Sequence, residues 1–212
     1  MKKIGFLFLA GITSALIINC GGKKEEQLSA EQLDSLTATY YALNDSLENA
    51  WQQLVEDDEK KLAYLRRLVE EVANTNNYSE EEYQTYMNMI DGLANMQYTQ
   101  ETMVNSEVID AYDSASSVVI SRITKYAYDH PNFENYPLMQ ELIDDLNQAQ
   151  SMLLIYRSRY DIIAKNLNNF IDDNEHRLID RDNTIVQFKK KPLFEYPSEV
   201  GDPYEIGDTL NM

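Results

Sequence analysis

The sequence predicts an all-α protein: an antiparallel four-helix bundle with long first and last helices, followed by a C-terminal extended arm. Three observations carry that expectation. Apolar residues recur at three- and four-residue spacing through long runs, the period of an amphipathic helix. Gly (7) and Pro (5) are scarce, so little in the chain breaks those runs. Alternating apolar and polar residues, the mark of a half-buried strand, are almost absent. Hydrophobic residues at 43% suffice for a core and argue against a chain disordered throughout, and 212 residues suit one domain plus tails. The organisation read from these patterns is a signal peptide (1–19), a flexible tether (20–28), the bundle (29–172) and the arm (173–212).

The chain starts with Met1-Lys2-Lys3, a short basic stretch, and then an apolar run from Ile4 to Ile18. That run is shorter than the ~20 residues of a spanning helix and fits a secretory leader. Cys20, the single cysteine, follows directly. The layout Ile17-Ile18-Asn19-Cys20 resembles bacterial lipoprotein signal peptides, with Asn19 and Ile18 standing where smaller residues are usual. The resemblance implies cleavage before Cys20 and lipidation of its thiol. The competing reading is an uncleaved anchor with Cys20 as an incidental thiol. One acyl chain holds weakly, at about 0.8 kcal/mol per buried CH₂, whereas two or three chains make attachment stable. Gly21-Gly22-Lys23-Lys24-Glu25-Glu26 reads as the tether that lifts the body off the membrane. Within it, Lys24, Glu25 and Glu26 resemble the short basic-then-acidic export signals of some Gram-negative surface lipoproteins. That resemblance implies the outer membrane and exposure at the cell surface.

Ser29-Ala30-Glu31-Gln32 is a capping-box signature, and the stripe from Leu33 to Val72 then predicts one helix of about 45 residues, roughly 65 Å long, ending at Asn74-Thr75-Asn76-Asn77. Asp57-Asp58 interrupts the stripe and is expected to face solvent. Ser79-Glu80-Glu81-Glu82 is a second capping box, opening a helix through Tyr83, Ile90 and Leu93 that Gly92 weakens by about 1 kcal/mol. Asn105-Ser106 restarts the chain, and the next stripe runs from Val108 to Tyr126, closed by His130-Pro131. Pro137 fits the first turn of a last long helix, expected to close at Asp172-Asp173-Asn174. Phe188 to Phe194 reads as an extended segment pinned by aromatics.

Three segments resemble the LemA family of envelope-associated helical bacterial proteins. Ala50-Trp51, then Lys60-Lys61, then Leu68-Val69-Glu70-Glu71-Val72 sit like that family's first-helix pattern. His130-Pro131-Asn132-Phe133 resembles its Tyr-Pro-Asp-Leu turn, and Arg157, Tyr160 and Asn168 fall in register with its last long helix. Phe188-Lys189-Lys190-Lys191-Pro192-Leu193-Phe194 resembles its C-terminal basic-aromatic motif. The similarity covers most of 40–197, with 74–106 poorly matched. It implies a four-helix bundle with a membrane-proximal N terminus, and it brings no catalytic residues. Most members use an uncleaved transmembrane segment, so lipidation of Cys20 is a departure in anchoring.

Lys+Arg number 18 against 36 Asp+Glu, a net charge of −18, which disfavours nucleic acid as a partner and sets the body against an anionic membrane surface. One cysteine allows neither an internal disulfide nor a cysteine-based zinc site. His130 and His176 have no Ser or Cys nucleophile nearby in sequence, so no hydrolytic triad is expected. The acidic run 172–182 (Asp172, Asp173, Glu175, Asp180, Asp182) fits no EF-hand spacing and reads as a solvated charge run. No metal, cofactor or catalytic residue is therefore expected. Lys60-Lys61, Arg66-Arg67 and Arg157 with Arg159 are expected to meet acids within the molecule, a partner- or anion-binding patch being the competing reading. The functional expectation is a non-catalytic, lipid-anchored envelope scaffold or protein-interaction module, with a small-ligand or peptide-binding lipoprotein as the alternative.

Overall fold

The computed structural model describes residues 28–178 and 189–194, with α-helical side chains described as far as Asn174. Cys20, Lys24, Glu25, Glu26 and Phe188 lie outside these residues, as do Asp180 and Asp182 of the acidic run. The described chain is all-α: four helices and two short 3-10 turns, with no strand among the described residues.

Helix α1 spans Ala30–Asn74 and opens with a full capping box. The Gln32 amide donates to Ser29 Oγ (3.2 Å), and the Ser29 amide donates back to Gln32 Oε1 (2.9 Å). Two of the N-terminal amide donors are thereby satisfied. Its end is set by polar chemistry: the Thr75 hydroxyl donates to the Val72 carbonyl, and Asn76 takes the left-handed conformation at φ 59°. Asparagine is the non-glycine residue that tolerates that region best. Helix α2 spans Glu80–Ala94. Here Ser79 Oγ accepts from the Glu82 amide (3.3 Å), so the serine half of the expected box forms, and three glutamates in the first turn complement the helix dipole.

Helix α3, Ser106–Tyr128, is capped by Asn105, whose Oδ1 accepts from the Glu107 amide (3.1 Å). A left-handed Asn132 (φ 71°) and a 3-10 turn at Phe133–Asn135 lead to α4, Pro137–Leu178. Proline at the first position gives up an amide that has no helical partner there. Helix α4 corrects the sequence expectation at its far end, continuing past Asp172-Asp173-Asn174 to Leu178. Asp and Asn cost a helix only about 0.7 kcal/mol each, less than a long packed helix recovers. The Asn174 side chain is drawn into the helix, donating to the Phe170 carbonyl at 2.9 Å.

The core falls into two clusters. In one, Leu65, Leu68 and Val72 from the C-terminal half of α1 meet Ile90 and Leu93 of α2, Ile123 of α3, and Met139 and Leu146 from the first half of α4. In the other, Leu47, Ala50 and Leu54 from the first half and middle of α1 meet Met103, Ile109 and Tyr160, Ala164, Leu167 and Ile171 from the second half of α4. Each fully buried aliphatic side chain contributes about 1.5–3 kcal/mol relative to exposure. With only 15 residues, α2 reaches about 22 Å and covers only part of α1. The connection from Asn95 to Asn105 runs on from its end and places Tyr98 and Met103 against the second cluster.

Candidate functional site: a charged and aromatic junction

Between Leu54 and Leu62, α1 turns two polar side chains, Asp58 and Lys61, toward the rest of the molecule. Lys61 is 3% exposed, an unusual fate for a lysine. Its Nζ lies 2.5 Å from Asp58 Oδ1, one helical turn back, and 5.4 Å from the centre of the Tyr112 ring. Asp58 Oδ2 accepts from the Tyr112 hydroxyl and from Gln97 Nε2 (2.8 Å). Asp58 is therefore turned inward, with its side chain 13% exposed, against the expectation that Asp57-Asp58 faces solvent. The reason is tertiary: Asp58 neutralises Lys61 on its own helix while accepting from the buried Tyr112 hydroxyl of α3. Burial and the Asp58 charge push the Tyr112 phenol well above its ordinary range, so it stays a donor.

The second charged group is Arg157 of α4, 6% exposed. Nη1 and Nη2 each donate at 2.7 Å to the two oxygens of Asp113 on α3, a fork-to-fork pair, and Nη2 also donates to the Tyr98 hydroxyl (2.8 Å). Burial alone would lower the guanidinium's pKa, but the Asp113 bonds overcome it and the net shift is upward. Arg157 Nε has no hydrogen-bond partner among the described residues. The flat face of the guanidinium lies 4.9 Å from the Phe194 ring centre and 5.8 Å from that of Tyr98.

Phe194 belongs to the segment 189–194, which lies across α4. Its ring stacks on Trp51 (6.4 Å, 17° between planes) and meets Tyr98 (5.9 Å) and Tyr160 (5.5 Å) edge-on. The backbone of the segment is read by side chains. The Lys191 amide donates to Asn168 Oδ1 (2.7 Å) while Asn168 Nδ2 donates to the Lys191 carbonyl (2.8 Å). The Phe194 amide donates to Asp161 Oδ1 (2.9 Å). Lys191 Nζ reaches Glu48 and Gln100, each at 3.2 Å, and Lys190 pairs with Asp172 at 2.6 Å. Beside this junction lies a cleft of about 260 Å³, lined by Trp51, Leu54, Val55, Asp58, Gln97, Tyr98, Thr99 and Leu153.

Of the residues singled out from sequence, Trp51, Lys61, Arg157, Tyr160, Asn168 and Phe194 gather here. Leu68 and Val69 are core residues, while Lys60, Pro131 and Lys189 are exposed. The charged pairs follow the expectation in part: Arg157 crosses to α3 and Arg66 crosses to Asp91 of α2 (2.6 Å), whereas Lys61 pairs within its own helix. Gln97, Tyr98, Asp113 and Asp161 were not legible as site residues. Asp161 had one local signal, its place one turn beyond Arg157. Among the described residues no three His, Cys, Asp or Glu side chains converge as a metal site requires. Nor is any helix there long and apolar enough to cross a membrane. Comparison of the chain with protein-family models, with curated proteins and with solved structures returns no match.

Proposed function

We propose that this chain is a lipid-anchored envelope protein of the LemA type, acting as a non-catalytic scaffold or protein-interaction module. Cys20 is its point of attachment, and Lys24, Glu25 and Glu26 direct it to the outer membrane and its outer face. The body is an antiparallel four-helix bundle with 189–194 as the start of a C-terminal arm. The pairing of opposite halves of α1 and α4 in the two core clusters supports that arrangement.

One observation carries the reading of a binding body. The side chains best suited to chemistry are engaged with one another: Lys61 with Asp58, Asp58 with Tyr112, Arg157 with Asp113 and Tyr98. Groups held this way fix helices and the 95–105 connection in place; they do not hold a proton or nucleophile ready for a substrate. The exterior is strongly acidic, which suits recognition of basic partners by charge. The test is photo-crosslinking in intact cells from exposed positions on α2 and α3. A discrete protein adduct is expected with the wild-type anchor and is lost on Cys20→Ala. Absence of any adduct, together with turnover by the purified chain, would replace this reading with an enzymatic one.

The cleft at Trp51, Asp58 and Tyr98 favours a second reading, a binding protein for a small ligand or peptide. It combines apolar walls with a few converging polar groups, the usual composition of a ligand site, in a volume just below the usual range.

A further inference from the structure

We propose that the surface of α4 with Trp51 and Tyr98 is a peptide-reading groove, selective for an extended Lys-x-x-Phe segment of a partner protein. Residues 191–194 fill it in cis. The inference rests on the reading of the body as an interaction module and names the partner's chemistry.

The groove recognises its occupant by features that do not depend on covalent connection. Asn168 makes a two-point contact with one residue's backbone amide and carbonyl, which any extended segment presents. Three residues further on, Asp161 Oδ1 accepts from the Phe194 amide. These contacts fix the direction and register of an extended chain, as in other modes of peptide recognition by main-chain hydrogen bonds.

Selectivity comes from the two side-chain positions. The Phe ring enters a cage of Trp51, Tyr98 and Tyr160 roofed by the Arg157 guanidinium, which accepts a flat aromatic face and offers an aliphatic chain no cation–π contact. The lysine reaches Glu48 and Gln100 at the groove edge, with Asp172 beside it for a preceding basic residue. An acidic chain thus offers an acidic-rimmed, aromatic-floored site to a basic-aromatic segment. The cis segment occupies it at an effective concentration of the order of mM, so a partner gains entry when its local concentration is comparable or when the cis segment is weakened.

The test uses the full chain and a fluorescently labelled hexapeptide Lys-Lys-Lys-Pro-Leu-Phe, the sequence of residues 189–194. In Phe194→Ala the cis aromatic anchor is gone, and labelled peptide is expected to bind saturably and at least tenfold more tightly than to wild type. Adding Asn168→Ala should abolish that binding, and so should replacing the peptide's terminal Phe by Ala. A second measurement needs no variant: excess unlabelled peptide should accelerate hydrogen exchange of the Lys191 and Phe194 amides in wild type. The proposal is overturned if neither effect occurs, or if the Phe-less peptide binds equally well and charge alone explains the affinity. Exchange of 189–194 between two copies, seen as a concentration-dependent dimer, would assign the groove to self-association and also overturn it. Absence of any in-cell adduct from the wild-type chain, with peptide binding intact, would sink the envelope-scaffold reading and leave the groove standing.

Discussion

Breaking the Arg157–Asp113 pair from its two ends should have unequal effects. The Arg157 side chain is 7% exposed and that of Asp113 is 38% exposed. Asp113→Ala removes both 2.7 Å bonds and leaves a buried guanidinium with Tyr98 as its hydrogen-bond partner and without its paired carboxylate. Stranding a buried charge costs about 3–5 kcal/mol, and the surviving Tyr98 bond and Phe194 face bring the expectation to about 3 kcal/mol. Arg157→Met keeps the apolar stem and leaves behind a carboxylate that can rehydrate, so about 1 kcal/mol is expected. For a chain of this length these convert to falls in Tm of about 6–12 °C and about 2–4 °C. The double variant should resemble Arg157→Met alone, because no buried charge is left unpaired. Thermal and urea unfolding by circular dichroism measure all three. Equal losses at the two ends, or a double variant less stable than Asp113→Ala, would refute the argument that burial of the arginine sets the cost.

Other perturbations follow from the same geometry. Gly92 sits on the exposed side of α2, and a Cβ built there meets nothing within 4 Å. Gly92→Ala should therefore stabilise the protein by about 0.5–1 kcal/mol, read as a higher urea midpoint at unchanged m-value; destabilisation would contradict the open environment. Burial holds the Tyr126 phenol up at about 12, and burial likewise raises Tyr112 and Tyr160. A phenol with a folded-state pKa above its unfolded value stabilises the fold below about pH 10. That contribution is lost as pH climbs through the unfolded and then the folded value. Tm should accordingly fall between about pH 9.5 and 11.5, with a late-titrating fraction in tyrosinate absorbance that merges with unfolding. A single tyrosine titration near pH 10 with constant Tm would count against the buried network.

The lengths of the helices were legible because their ends carry chemistry that acts within four residues. The Ser29 box and the Asn74-Thr75-Asn76-Asn77 stop bracket a first helix of 45 residues, and Pro137 opens the last. The far end of α4 was not, because Asp172-Asp173-Asn174 weakens a helix without ending one, and packing decides the balance. The site was legible in its large aromatic and basic members. Trp51 and Phe194 stand out as large aromatics that gain by burial, and Arg157 as a charge that is costly to bury without a partner. Their partners were not. Asp113 is 44 residues from Arg157 and looks like any surface acid until α3 is laid against α4. Asp58 read as solvent-facing because a carboxylate breaking an apolar stripe usually is; Tyr112, 54 residues away, turned it inward.

The measurement that bears most directly on the proposed function is metabolic labelling with an alkyne fatty acid, read alongside the N-terminal mass of the purified protein. The account predicts incorporation of label and a mature chain beginning at Cys20, with Cys20→Ala losing the label and retaining the leader. Labelling that survives in Cys20→Ala, or a wild-type chain that carries no lipid and keeps residues 1–19, would contradict it.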